Sequence, residues 1–581
     1  MTARILVLDG DAGAAITIVQ SLGRAGYDVT LAATSVDERA FRSRYVTASL
    51  VSPDPLLDKV AFQEWATGLT GFDLVIPATE RTMIPLHEIR DRPSLAGKVA
   101  LPPAAAVDVA FDKERVRALA ERLGVVVPEN IVVESLAQLD ALRGRLDAWF
   151  TLGAVVLKST RSKVWGEGGG RELAVQMVVD YPQLVNQAGQ LLEAGPVQLQ
   201  QWVPGHGVGV EVLADRGEIV LMFAHERLHE LPMTGGGSCY RRGIEPPAAL
   251  VESARRLMKA LSWHGVAMIE FRVDPDSGGA WMMEINGRFW GSLALAQFGG
   301  VDFPRALVRL LLEGVRPEPV PGRRVWARAV GRDLRWMRQM TALRLADATG
   351  RRQVPAERKL MLTQPLGRSV AEWARLLGGR EVWDGAALDD PAPIVFEIGS
   401  EIARVPRAVI RRWQRRRVRR GAIAAWSRPL GEVRRILVLC SGNICRSAYV
   451  GVRLDAEVTG GVSVRSGALV GPSGRPTPGP FLRAAAARGV DLSHHRSHAI
   501  DDADLSWADL ILIMDDGHHA AIAQRGPEVL KKSRWLGGLL ATGLDADPVI
   551  EDPIDFGAAE LVASLDRMDA AIAKLLDRVR H

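Results

Sequence analysis

The stretch Cys440-Ser441-Gly442-Asn443-Ile444-Cys445-Arg446-Ser447 joins a thiol, small turn formers, an arginine and a hydroxyl. The apolar run Ile436 to Leu439 leads straight into it, and helix-forming residues follow. That order predicts Cys440 between a strand end and a helix start, where a helix dipole favours a thiolate. The backbone N–H groups of Ser441 to Arg446 can turn inward around a phosphate dianion. Gly442 and Asn443 suit the left-handed backbone that a tight loop needs. Arg446, six residues after Cys440, can close the loop and grip two phosphate oxygens at once. The Ser447 hydroxyl can donate to the sulfur and help it leave in a second step. These are the parts of a nucleophile for phosphate esters. A phenolate or alkoxide also needs a proton as it departs. Glu551-Asp552-Pro553 offers one: Asp552 is the candidate general acid, and Pro553 stiffens its loop by fixing φ.

A second constellation lies earlier. Asp112-Lys113 opens a helical segment, and Lys158 ends a strand-like run just before the glycine-rich Trp165-Gly-Glu-Gly-Gly-Gly170. The chain has only ten lysines, and these two stand where nucleotide phosphates would need cations. The glycine-rich loop could fold over phosphates with its N–H groups. Glu270 and the run Met283-Glu284-Ile285-Asn286-Gly287-Arg288 put oxygen ligands on neighbouring strands. Glu284 and Asn286 are two apart, hence on one face of a strand. Carboxylate and amide oxygens shared with phosphates are a usual way to hold Mg²⁺.

The elements that must carry these groups follow from composition and periodicity. The chain has 581 residues, 47% hydrophobic and 24% charged, enough for several domains with ordinary cores. Three cysteines, Cys239, Cys440 and Cys445, are too few for a disulfide scaffold or zinc cluster and suit a reducing cytosol. The first apolar run stops at Asp9, too short for a signal peptide, and no stretch nears the ~18 apolar residues of a membrane span. The expected location is therefore cytoplasmic. A net charge of +5 over the whole chain does not imply nucleic acid, and no aromatic-rich basic stripe supports it.

Strand, helix, strand is expected over Ile5–Leu8, Ile16–Arg24 and Val29–Leu31, with a further strand at Leu74–Pro77: the start of a parallel α/β sheet. Gly10 and Gly13 do not make a dinucleotide fingerprint and read as a tight turn. Helices at Lys113–Leu123 and Ala249–Leu261 alternate with strands at Ala154–Lys158, Val197–Trp202, Ala267–Val273 and Trp281–Ile285. The periodicity weakens from about Glu318, and nine arginines fall between Arg404 and Arg420. A fresh α/β pattern begins at Arg435.

The C-terminal motif, with Asp552-Pro553, resembles the low-molecular-weight protein tyrosine phosphatases. Ser466-Gly467-Ala468, the run Gly489 to Ser497 and the run Asp509 to Asp515 are similar too. The resemblance covers Arg434 to His581 and implies a four-stranded parallel sheet with flanking helices, no metal or other cofactor, and phosphotyrosine in a protein as substrate. It makes Cys440 the nucleophile, Arg446 the phosphate clamp, Asp552 the acid and Asn443 the residue that orders the loop. Cys445 matches a second loop cysteine able to form a protective disulfide with the nucleophile. Ala448 stands where proline is usual, and Ile554 and Asp555 replace the aromatics that often follow Asp-Pro. Arsenate reductases share this fold but need further cysteines, and none follows Cys445.

The earlier constellation resembles the ATP-grasp superfamily, in its carbamoyl-phosphate-synthase-like branch. Gln200-Gln201-Trp202-Val203-Pro204-Gly205 is similar to the segment that reads adenine, and Glu211 fits the polar position after it. Mg²⁺ and ATP are the implied cofactors, with Lys113, Lys158, Gln200, Gln201, Trp202, Val203, Glu211 and Arg288 on the nucleotide and Glu270, Glu284 and Asn286 on the metal. The family implies ligation of a carboxylate to an amine through an acyl phosphate, which Arg288 would steady. The alternative is a nucleotide sensor that regulates the phosphatase.

The expected organisation is α/β and α+β multidomain: a pre-ATP-grasp α/β domain at 1–104, the ATP-grasp domain at 105–317, a basic, partly helical connector at 318–433, and the phosphatase domain at 434–581. In the connector, Ile402, Val405, Val409 and Trp413 recur at helical spacing among the arginines. A solvated helical linker is the ordinary reading; weak adsorption to an anionic membrane surface through Arg404–Arg420 is the sharper one.

Overall fold

The computed structural model describes residues 2–579 except 160–162, 167–168, 173–174, 193–194, 233–235, 350–365, 378–380, 472, 545 and 554–557. The chain divides into two compact units, Met1–Ile402 and Ala403–His581.

The first unit begins with four parallel strands in the order Ala48–Val51, Asp28–Ala33, Arg4–Val7, Leu74–Ile76. The helix Ala15–Arg24 buries Ile16, Ile18, Val19 and Leu22. These positions recur at helical spacing, so a short sequence gives one apolar stripe. Gly10 is needed at the strand-to-helix turn, because a Cβ there would lie 2.7 Å from the Phe41 ring.

Two further sheets follow, the smaller antiparallel and the larger antiparallel except for its last pair of strands, which run parallel. The smaller runs Asn130–Val133, Val197–Gln201, Val155–Ser159, Gln176–Val178. The larger has seven strands: Ala280–Asn286, Gly265–Val273, His206–Asp215, Glu218–Leu231, Gly237–Ile244, Trp326–Arg328 and Val382–Trp383. The glycine-rich segment is a hairpin in which Trp165 pairs with Gly170; residues 167–168 at its tip lie outside the described residues.

The region expected as a connector is only partly one. Trp326–Arg328 and Val382–Trp383 extend the seven-stranded sheet, and the helices Val330–Thr349 and Leu366–Leu377 lie between them in sequence. Arg328 is buried between Asp333 and Glu381, and His229 meets Asp333 (2.7 Å) and Glu372 (3.0 Å). Charges that look solvated in the sequence are therefore paired inside. Farther on, Asp390 accepts hydrogen bonds from Gln20 (3.0 Å), Ser43 (2.5 Å) and the Arg44 N–H (2.9 Å), so this segment closes back over the first sheet's domain. The helix Ala392–Ala424 carries the arginine-rich run.

The second unit is built on four parallel strands in the order Ser463–Ala468, Arg435–Cys440, Leu510–Ile513, Ser533–Trp535. Helix Arg446–Glu457 follows the first strand, and Ala558–Val579 buries Leu565, Met568, Ile572 and Leu575. Among the described residues no helix is long and apolar enough to cross a membrane.

Candidate functional sites

In the second unit, Cys440 ends a strand and Arg446 starts a helix, as the motif order predicts. The Cys440 sulfur is buried and receives two hydrogen bonds, from the Asn443 N–H (3.2 Å) and the Ser447 hydroxyl (3.0 Å). Asn443 alone in the loop takes the left-handed backbone, with φ at 50°. Its amide donates to Ser447 and Ser466, both at 3.0 Å, and its side-chain oxygen accepts from the His498 N–H (2.9 Å). Gly442 does not adopt that conformation; it is needed because a Cβ would lie 2.9 Å from the Arg475 guanidinium, which donates to its carbonyl (2.9 Å). Ile444 is half-buried, and Cys445 is fully buried, with its thiol pushed up by burial.

Arg446 is enclosed. Nη1 donates to Asp515 (2.7 Å) and to the Ile550 carbonyl (3.0 Å), and Nη2 to Asp552 (2.5 Å). Its Nε is buried without a hydrogen-bond partner. Asp552 remains 40% exposed, on the open side of this arrangement. Ile554 and Asp555 lie outside the described residues.

Asp515, which ends one of the family-like runs but has no role assigned from sequence, and His518 complete the surroundings. Asp515 caps the helix Asp516–Gln524 by accepting the His518 N–H (3.0 Å). His518 is buried, and burial pushes its imidazole down to about 4. Its Nδ1 accepts the Met514 N–H (3.3 Å), so Nε2 carries the proton and donates to Ser441 Oγ (3.0 Å). His518 lies 77 positions from Ser441, and only the fold brings it beside the loop.

The first unit has a cleft of about 530 Å³ between its sheets. Lys113, Lys158, Gln200, Gln201, Trp202, Val203, Glu270, Glu284, Asn286 and Arg288 all line it. Glu270 and Glu284 are register partners on adjacent strands. The Arg227 guanidinium clasps Glu270 through both oxygens, at 2.9 and 2.5 Å. Asn286 donates to Glu284 (3.0 Å) and accepts from Arg288 (2.8 Å). Burial pushes the Lys158 ammonium down to about 8, with Lys113 adding to the effect. Asp112 caps the helix that presents Lys113, accepting the Glu114 and Arg115 N–H groups at 3.1 Å.

Glu211 is a correction to the sequence reading. It does not line the cleft but is fully buried, with its carboxylate 2.9 Å from His225 and accepting from Ser292 (3.2 Å). A polar residue on an alternating strand can face either layer, and spacing alone does not say which.

In the arginine-rich helix the side chains of 401–413 lie outside the described residues. Arg419 is engaged, with Asp516 (2.6 Å) and Asp547 (3.1 Å).

The chain matches the family "Low molecular weight phosphotyrosine protein phosphatase" over residues 435–581, and "ATP-grasp in the biosynthetic pathway with Ter operon" over residues 193–330. It is 38% identical over 95 residues to the probable low molecular weight protein-tyrosine-phosphatase EpsP of Ralstonia nicotianae, covering 16% of this chain and 65% of that relative's length. It is 33% identical over 143 residues to the low molecular weight protein-tyrosine-phosphatase Etp of Escherichia coli K12, covering 25% of this chain and 95% of that protein. Among solved structures, N5-carboxyaminoimidazole synthetase from Staphylococcus aureus is similar at 13% identity and a TM-score of 0.46, over 58% of this chain and 85% of that one. Through its C-terminal unit the chain belongs to the low molecular weight protein-tyrosine-phosphatase family, here fused to an ATP-grasp domain.

Proposed function

We propose that the second unit hydrolyses phosphotyrosine in another protein, by way of a cysteinyl phosphate. The observation that carries this is the Cys440 sulfur with two donors aimed at it, beside an arginine whose Nε has no partner. The substrate phosphate would take Arg446 Nη2 from Asp552 and use the free Nε. The carboxyl so released stands where the leaving oxygen emerges. Cys440 Sγ forms the S–P bond as the P–O bond breaks, and Asp552 gives the departing phenolate its proton. Water then attacks the phosphocysteine, Asp552 takes a proton back, and Cys440 leaves as thiolate with the Ser447 hydroxyl donating to it. The test is release of phosphate from phosphotyrosine peptides by the full chain. Cys440→Ser should abolish it and Asp552→Asn should slow it by about two to four orders of magnitude. Activity that survives Cys440→Ser would overturn the reading, as would loss of activity on chelation with EDTA.

For the first unit the reading is ATP-dependent joining of a carboxylate to an amine. The residues fit Mg²⁺ and ATP: two facing carboxylates, an amide oxygen two residues from one of them, and two lysines in the same cleft. Glu270, Glu284 and Asn286 would hold the cation, and Lys113 and Lys158 the phosphates. Gln200 to Val203 would lie along the base. ATP, when bound, supplies the phosphoryl group that activates the carboxylate. Arg288, fixed by Asn286, would then steady the negative oxygens of the activated acid.

A further inference from the structure

The last turns of the helix Ala392–Ala424 lie upstream of the phosphatase-family residues, yet they are built into the second unit. Ala422 and Trp426 are buried there. The Trp426 indole donates to the Trp535 carbonyl (2.8 Å) and packs on Gly538, where a Cβ would lie 2.9 Å from the ring. This fixes the helix end from which Arg419 projects. Arg419 donates from Nε (3.0 Å) and Nη2 (2.6 Å) to Asp516, and from Nη1 (3.1 Å) to Asp547.

Those two aspartates are the roots of the two segments that surround Arg446. Asp516 directly follows Asp515, which holds Arg446 Nη1. Asp547 also accepts the Val549 N–H (3.2 Å), and its segment runs on to Ile550 and Asp552, both of which bind Arg446. Between the roots, the Ile550 N–H donates to the Met514 carbonyl (2.9 Å). One guanidinium outside the phosphatase domain thus spans both walls of its phosphate site.

We propose that Arg419 is a positioning residue for phosphate-ester hydrolysis: it sets the distance between the Asp515 and Asp552 segments, so the working phosphatase site includes the end of the connector helix. This rests on the reading of Asp552 as general acid. A general acid works only within hydrogen-bond reach of the leaving oxygen, and a displacement of about 1 Å can cost about 100-fold in rate. Arg419 touches no reacting atom, so its loss acts through the acid and is felt most where the leaving group needs a proton most.

The experiment uses the full chain and two esters, phenyl phosphate with a basic leaving group and 4-nitrophenyl phosphate with a good one. Arg419→Gln should lower kcat/KM on phenyl phosphate by about tenfold and on 4-nitrophenyl phosphate by much less. Asp516→Asn, which weakens the clamp at the carboxylate that accepts from Arg419 Nε and Nη2, should do the same, and it carries the test if Arg419→Gln does not fold. Added to Asp552→Asn, Arg419→Gln should cost less than about a further twofold, because the acid it positions is already gone. Equal losses on both esters, or full additivity with Asp552→Asn, would overturn the role of Arg419. If Asp552→Asn itself fails to discriminate between the esters, the acid assignment is what falls, and the result tells the two apart.

Discussion

Glu270 and Glu284 face each other across adjacent antiparallel strands, yet their carboxyls are displaced in opposite directions. Burial pushes Glu270 up, in spite of the Arg227 guanidinium that clasps it. Burial is the largest single influence on Glu284 too, but Lys113, Lys158, the Asn286 amide and Arg288 together outweigh it and hold that carboxyl below the usual range. Glu284 is therefore the member of the pair whose charge the two lysines favour, while Arg227 is the partner of Glu270.

That asymmetry makes Glu284 the better residue to remove. Glu284→Ala combined with Asn286→Ala should weaken Mg²⁺-dependent ATP binding by about 10–100-fold or more, read by calorimetry. Hydrolysis at Cys440 should be unchanged, since that site lies in a separate unit. Equal ATP affinity in the double variant would remove the metal-site assignment.

Lys158 gives the cleft a pH dependence. Burial holds its ammonium down to about 8. Only the charged form attracts phosphate, so raising the pH through that value removes a cation from the site. ATP affinity should fall by roughly tenfold between pH 7 and pH 9. Lys158→Arg stays charged throughout and should give a shallower profile; Lys113, also lowered by burial, keeps it from being flat. An unchanged slope in the arginine variant would contradict this account.

The geometry of the Cys440–Ser447 loop is legible because its residues are contiguous. A strand, a turn and a helix within a dozen positions leave little freedom, and the cleft residues Lys158, Glu270 and Glu284 were legible for a similar reason, each lying on a predicted strand. What the sequence hid depends on distant pairing. Arg328 reads as surface charge until Asp333 and Glu381 are seen around it. The three-residue strand it ends is too short to show a period. Glu211 has a strand's alternation but no local sign that His225 waits on the next strand. Gly442 was expected for its backbone freedom and matters for the space beside it.

His229 should make the stability of the first unit depend on pH. Both ring nitrogens meet carboxylates, and Trp336 stacks on the ring at 3.5 Å. An imidazole donates from both nitrogens only when protonated. Burial opposes the charge, but Asp333 and Glu372 outweigh burial and the net displacement is upward. Its stabilising contribution is thus fully present below about pH 6.5 and is lost as pH rises through the folded value. The difference in unfolding midpoint between the native chain and His229→Gln should shrink from pH 6 to pH 9. A difference that grows would refute the charged imidazole.

Cys445 should protect the nucleophile from oxidation. Peroxide converts the Cys440 thiolate to a sulfenic acid; the Cys445 sulfur can then form the S–S bond with release of water. Activity lost to mild peroxide should return with a thiol reductant, and mass spectrometry should find the Cys440–Cys445 linkage. Cys445→Ser should be inactivated irreversibly. A sulfinic product in the native chain, with no disulfide, would end the protective reading.

The return of Asp390 onto the first sheet's domain imposes an order on biosynthesis. Gln20 and the carboxylate it binds are 370 positions apart. At about 5–20 residues per second, a ribosome needs roughly 20–70 s to make the intervening chain. For most of that time the opening α/β domain is complete in sequence while Asp390, the partner of Gln20, Ser43 and Arg44, has yet to be made. The domain thus acquires this buried carboxylate after most of the first unit has already been synthesised.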